Sequence, residues 1–118
     1  MSKNSELTQL DNELLDDYVQ SLGNGVVKQM FALYAQQAII YLKDIENSLL
    51  CGNTQLWQEH CHKMKGAAGS VGLKALHSRL KLMEKTVAST SDKAHQLAEL
   101  KVHNKQAMID FNDWLESI

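Results

Sequence analysis

Apolar residues recur at helical spacing along most of this chain. Val27, Met30, Phe31, Tyr34, Ala38, Tyr41, Leu42, Ile45 and Leu49 keep one face apolar, while Lys28, Gln36, Lys43 and Glu46 fall mostly on other faces. That spacing predicts a long helix ending before Gly52-Asn53, where Asn53 or Thr54 can cap the next helix. Upstream, Leu14, Leu15, Tyr18 and Val19 mark a short helix capped by Asp11 and closed by the Gly23-Asn24-Gly25 turn. Gly72 is expected to end the third helix. Leu73, Leu76, Leu80, Met83 and Val87 then give a fourth an apolar face. After the polar connection Ala88–Ser91, with Ser91 as a cap, a fifth helix carries Ala94, Leu97, Leu100, Val102, Ala107, Met108, Phe111 and Leu115. The expected fold is all-α: an up-down four-helix bundle with a short additional N-terminal helix. Residues 1–8 are polar and without period, and are expected to form a flexible tail.

Composition narrows this picture. The 118 residues, 44% of them apolar, fit one domain with one core, and the absence of proline favours uninterrupted helices. A net charge of −2 without a dense basic block argues against nucleic acid as a partner. No apolar run approaches the ~18 residues of a membrane span and the N-terminus lacks a signal-peptide core, so a cytoplasmic protein is expected. Cys51 and Cys61 make no disulfide framework and are expected to be packing residues. Trp57 and Trp114 are expected half-buried near helix ends.

The third helix carries the chemistry. His62, Lys65, Gly66 and Gly69 stand at i, i+3, i+4 and i+7, beside an apolar stripe of Cys61, Met64, Ala68 and Val71. Glycine inside a helix costs up to about 1 kcal/mol relative to alanine, so the two glycines require a compensating purpose. One is access: without side chains at these positions, another macromolecule can approach the imidazole. The other is close helix packing, and the two can coexist. The consecutive His60, Cys61 and His62 do not read as a metal site, because helical neighbours diverge by about 100° each. His77, His95 and His103 have no ligand spacing with them.

The run His62-x-x-Lys65-Gly66-Ala67-Ala68-Gly69, followed by Gly72, resembles the motif of histidine-containing phosphotransfer (HPt) domains of bacterial phosphorelays. From His62 through Leu73 it is similar to the HPt domains that end hybrid sensor kinases of anaerobic respiratory control. The resemblance implies that residues 9–118 form one HPt bundle, with His62 accepting and donating a phosphoryl group. Lys65 would stabilise its charge, and Lys63, Gly66 and Gly69 would meet the docking partner. The implied partners are receiver domains, one in a hybrid sensor histidine kinase and one in a response regulator. No nucleic acid, membrane or second copy of the chain is expected. The chain is expected to bind no cofactor of its own, with Mg2+ supplied by the receiver, since it has no Walker-type loop, kinase signature or aspartate cluster. It would be a free-standing phosphoryl carrier without ATP-dependent kinase activity. Lys74, Lys81 and Lys85, with Lys63, could steer an acidic receiver surface. The family often presents a glutamine near the histidine ring, and an ungapped count from His62 reaches Glu84 here. A carboxylate there could orient the imidazole, and would also repel a bound phosphoryl group. The alternative is a helical adaptor that binds a receiver or another signalling partner without phosphoryl transfer.

Overall fold

The computed structural model describes residues 10–118; the expected tail at residues 1–8 lies outside them. Five helices follow in order: α1 Asn12–Leu22, α2 Asn24–Leu50, α3 Thr54–Ser70, α4 Lys74–Glu84 and α5 Thr90–Ser117. Three are capped by side chains. Asp11 Oδ1 accepts from the Leu14 amide at 3.2 Å, Asn53 Oδ1 from Leu56 at 3.0 Å, and Ser89 Oγ from Asp92 at 3.2 Å. Asn53 thus takes the cap of α3, and Ser89, two residues ahead of the expected Ser91, takes that of α5. Gly23 alone, at φ +87°, separates α1 from α2, so Gly25 lies inside the first turn of α2 rather than in a loop.

The helices α2 to α5 form a closed ring of neighbours, α2 on α3, α3 on α4, α4 on α5 and α5 on α2. Cross-contacts fix the directions. Phe31 stacks on Phe111 and Tyr34 bonds Asn104, while Glu46 meets Lys101 nearer the start of α5, so α2 and α5 are antiparallel. Trp57 reaches Met83 and Gly69 packs on His77, which sets α3 and α4 antiparallel as well. This is the expected up-down bundle. Its centre is filled by Ile45, Trp57, Met64, Leu76, Leu80 and Phe111, each essentially free of solvent. Burying one such aliphatic side chain contributes roughly 1.5–3 kcal/mol.

Several sequence expectations give way to tertiary geometry. The fourth helix ends at Glu84, and Val87 stands 99% exposed in the connection to α5 instead of in the core. Val102 and Ala94 lie on the solvent side of α5, where its apolar period drifts off the bundle axis. Trp57 is not half-buried but sealed at 1% exposure, because its indole N–H finds the Met83 carbonyl at 2.8 Å. Cys51, just past α2, is exposed and lies outside the core, whereas Cys61 is fully buried.

α1 lies over the α3–α4 turn. Leu10 pairs with Leu73, the Asp11 amide donates to the Gly72 carbonyl at 2.8 Å, and the Tyr18 hydroxyl donates to the Ser70 carbonyl at 2.9 Å. Gly72 sits at φ +79°, and a β-carbon there would come within 2.9 Å of the buried Leu15 side chain. Glycine is therefore required twice over, by backbone conformation and by space.

Candidate functional site

The apolar stripe of α3 turns Cys61, Met64 and Ala68 into the core and so leaves His62, one position on, at the surface. Its side chain is 65% exposed. Glu84, the last residue of α4, lies across from it because Met83 is anchored inward by Trp57. One Glu84 carboxylate oxygen, Oε2, is 3.0 Å from His62 Nδ1, and the other, Oε1, is 2.7 Å from Lys65 Nζ. A single carboxylate thus bridges the histidine and the lysine one turn along.

The bridge keeps Glu84 ionised. The Glu84 carboxyl is held below the usual carboxylate range, first by the Lys65 hydrogen bond, which outweighs the opposing effect of burial, and then by the His62 hydrogen bond and the nearby positive charge. An ionised carboxylate only accepts, so Nδ1–H is the donor of this bond and Nε2 is the ring nitrogen left outside it. Among the described residues Nε2 has no hydrogen-bond partner and faces solvent. Cys61, beside this pair but inside the core, has its thiol pushed up to about 12 by burial and then by the Glu84 charge, so it stays protonated and inert.

The two glycines behave differently. A β-carbon at Gly66 would meet nothing within 4 Å, so this side of His62 is open. At Gly69 it would come 2.9 Å from the His77 ring, so Gly69 serves the close approach of α4 to α3. Lys63 is exposed, as are Lys74, Lys81 and Lys85. An open groove of about 480 Å³ runs beside His62, lined by Gln55, Gln58, Glu59, His62, Lys63 and Glu84. Gln55, Gln58 and Glu59 were missed by the motif reading. Their signal was the His62 stripe itself, continued toward the N-terminus at i−7, i−4 and i−3. Among the described residues no group of three or more His, Cys, Asp or Glu is placed to hold a metal ion.

An exposed imidazole nitrogen on a four-helix bundle, oriented by a carboxylate and flanked by a lysine, is the architecture of a histidine phosphotransfer domain. The family model of the Hpt domain matches residues 29–115, and the chain belongs to that family, the phosphotransfer domains of multistep phosphorelays. Among known proteins it is 33% identical over 67 residues to the aerobic respiration control sensor protein ArcB of Escherichia coli K12, and equally to that of Shigella flexneri. The match covers 57% of this chain and 9% of the sensor, so the chain corresponds to a small part of those relatives. The fold is similar to the histidine-containing phosphotransfer domain of ArcB from Escherichia coli, with a TM-score of 0.85 at 24% identity over 97% of this chain and 98% of that one. A solution structure of the same domain gives 0.83 over 98% and 95%. Domains of this family interact with receiver domains. No helix among the described residues is long and apolar enough to cross a membrane.

Proposed function

We propose that His62 is the phosphoryl carrier. It takes the group from a receiver aspartate of a hybrid sensor kinase and passes it to the aspartate of a response regulator. The observation that carries this reading is the free Nε2, exposed and aimed outward by the Nδ1–H bond to Glu84. In the forward step the Nε2 lone pair attacks the phosphorus of the aspartyl phosphate. The P–N bond forms as the P–O bond breaks, and the bonding pair leaves with the aspartate carboxylate. Positive charge develops on the ring, and Glu84, still accepting from Nδ1, stabilises it. The return step reverses each movement. Transfer of this kind passes through a loose arrangement in which alignment and charge stabilisation do most of the work.

Lys65 is the group that meets the phosphoryl oxygens, and at rest Glu84 holds it in reserve. The receiver supplies Mg2+ and the acidic pocket. Gly66 and Lys63 belong to the docking surface, and Gly69 supports it by keeping α4 close to α3. The protein acts as a monomer in the cytoplasm.

The test is time-resolved transfer from a phosphorylated receiver domain to the wild type and to His62→Gln, scoring acid-labile, base-stable label. Label on the wild type alone is expected, with helicity and urea midpoint unchanged in the variant, since an exposed side chain contributes within about 0.5 kcal/mol to stability. Lys65→Ala should slow transfer by at least tenfold without abolishing it. Label on neither protein, with receiver binding retained, would replace the carrier by a helical adaptor.

A further inference from the structure

The side of α4 that meets the histidine helix carries His77, Lys81 and Glu84 at i, i+4 and i+7, and α3 answers with His62, Gly66 and Gly69 at the same spacing. The helices are antiparallel, so the two rows meet in reverse order. Both outer pairs are in contact. Glu84 Oε2 lies 3.0 Å from His62 Nδ1, and a β-carbon at Gly69 would come 2.9 Å from the His77 ring. The register they fix sets Lys81 opposite Gly66. A β-carbon at Gly66 would meet nothing within 4 Å, so the middle pair is an open notch one turn from His62, with a lysine on its α4 side.

Lys81 is exposed, and its ammonium enters none of the ion pairs among the described residues. Lys65, in contrast, is held at 2.7 Å by Glu84 Oε1, while the other oxygen of that carboxylate is taken by His62. The charges of Lys65 and Glu84 cancel. A phosphoryl group on His62 brings roughly two further negative charges beside the same carboxylate, and a further cation is needed to offset them. By register the uncommitted cation on this side is Lys81. The other exposed lysines are placed less well. Lys63 is turned about 100° around α3 from His62 and has Glu59 at i−4 on its own side. Lys74 stands two turns before Lys81, and Lys85 lies past the end of α4.

Given that His62 is the phosphoryl carrier, we propose that Lys81 is a second phosphoryl-binding residue, its ammonium reaching across Gly66 to the oxygens of the group on Nε2. Lys65 meets those oxygens from α3 and Lys81 from α4. The flexible four-carbon stem of lysine suits a reach across one helical turn. Gly66 then serves a second purpose, because a side chain there would stand between the Lys81 ammonium and the phosphoryl group. Lys81 thereby stabilises the loaded histidine itself, apart from any attraction of a receiver surface.

Phosphoramidate, a small donor that needs no docking surface, separates the two roles. The Nε2 lone pair forms a bond to phosphorus as the donor's P–N bond breaks, and that bonding pair leaves with ammonia. The initial rate of His62 labelling is followed by phosphorus NMR at constant ionic strength for the wild type, Lys81→Gln, Lys81→Arg and Lys74→Gln. Lys81→Gln should label roughly threefold more slowly, and Lys81→Arg should recover most of that loss. Lys74→Gln, which removes the same charge two turns away, should match the wild type. Both lysines are exposed and glutamine has nearly the helix propensity of lysine, so the variants keep the fold. An unchanged rate in Lys81→Gln, or an equal fall in Lys74→Gln, would overturn the role of Lys81 while leaving His62 as the carrier. No label on the wild type would overturn both.

Discussion

Gly66 and Gly69 are three residues apart on one helix, yet a methyl group added to each meets opposite surroundings. At Gly66 it enters open space, so Gly66→Ala should raise stability by about 0.5–1 kcal/mol through helix propensity alone. At Gly69 the methyl must displace the His77 ring, and Gly69→Ala should gain nothing or lose about 1 kcal/mol. Urea midpoints of the two variants settle the contrast, and an equal gain in both would remove the packing role of Gly69. A bulky residue at Gly66 should weaken receiver docking while leaving the fold intact. Glu84 offers a second test at this scale. Its carboxyl titrates below the ordinary value of about 4.3, so the stability it contributes is complete above that pH and drains away as pH falls through the lower, folded-state value. In Glu84→Gln that contribution is missing at every pH. The stability gap between wild type and variant should therefore narrow as pH drops below about 4.5, and a constant gap would show that the bridge to Lys65 and His62 adds nothing to folding.

The helices were legible to unequal depth. The period of α2 read correctly because its core-facing residues all meet neighbours in the ring, and Asp11 and Asn53 announced their caps through local chemistry alone. Where the sequence misled, the deciding partner was distant in the chain. Val87 continues the apolar spacing of α4, but the helix has already stopped at Glu84. The depth of Trp57 depends on Met83, and the buried Tyr34–Asn104 bond at 2.8 Å joins residues that no local window connects. The hydroxyl of Tyr34 is held protonated by that burial. His62, Lys65 and Gly66 could be read from one motif because they share a helix, whereas Glu84 comes from another element and was reached through family resemblance and a residue count. The indole bond also predicts a linkage. Trp57→Phe should cost about 1–3 kcal/mol by leaving the Met83 carbonyl buried and unpaired. The same change should slow phosphoryl transfer, because the last turn of α4 positions Glu84. A stable variant with full transfer rate would separate the core from the site.

In the whole molecule the four-helix ring is completed by α1, which lies outside the segment matched by the family model. Its Leu15 is fully buried, and the backbone before it is bonded to Gly72 at the turn that follows the histidine helix. A chain shortened to begin at Gln29 should lose at least about 2–4 kcal/mol, since Leu15 and Val27 would both be absent from the core. Thermal denaturation of the shortened and full chains would measure this, and equal midpoints would make α1 dispensable. The seam between Leu10 and Leu73 therefore sets where this unit can be spliced. A chimera that grafts it onto another signalling protein must place the junction ahead of Leu10, or the recipient inherits a histidine helix whose far end has lost its lid.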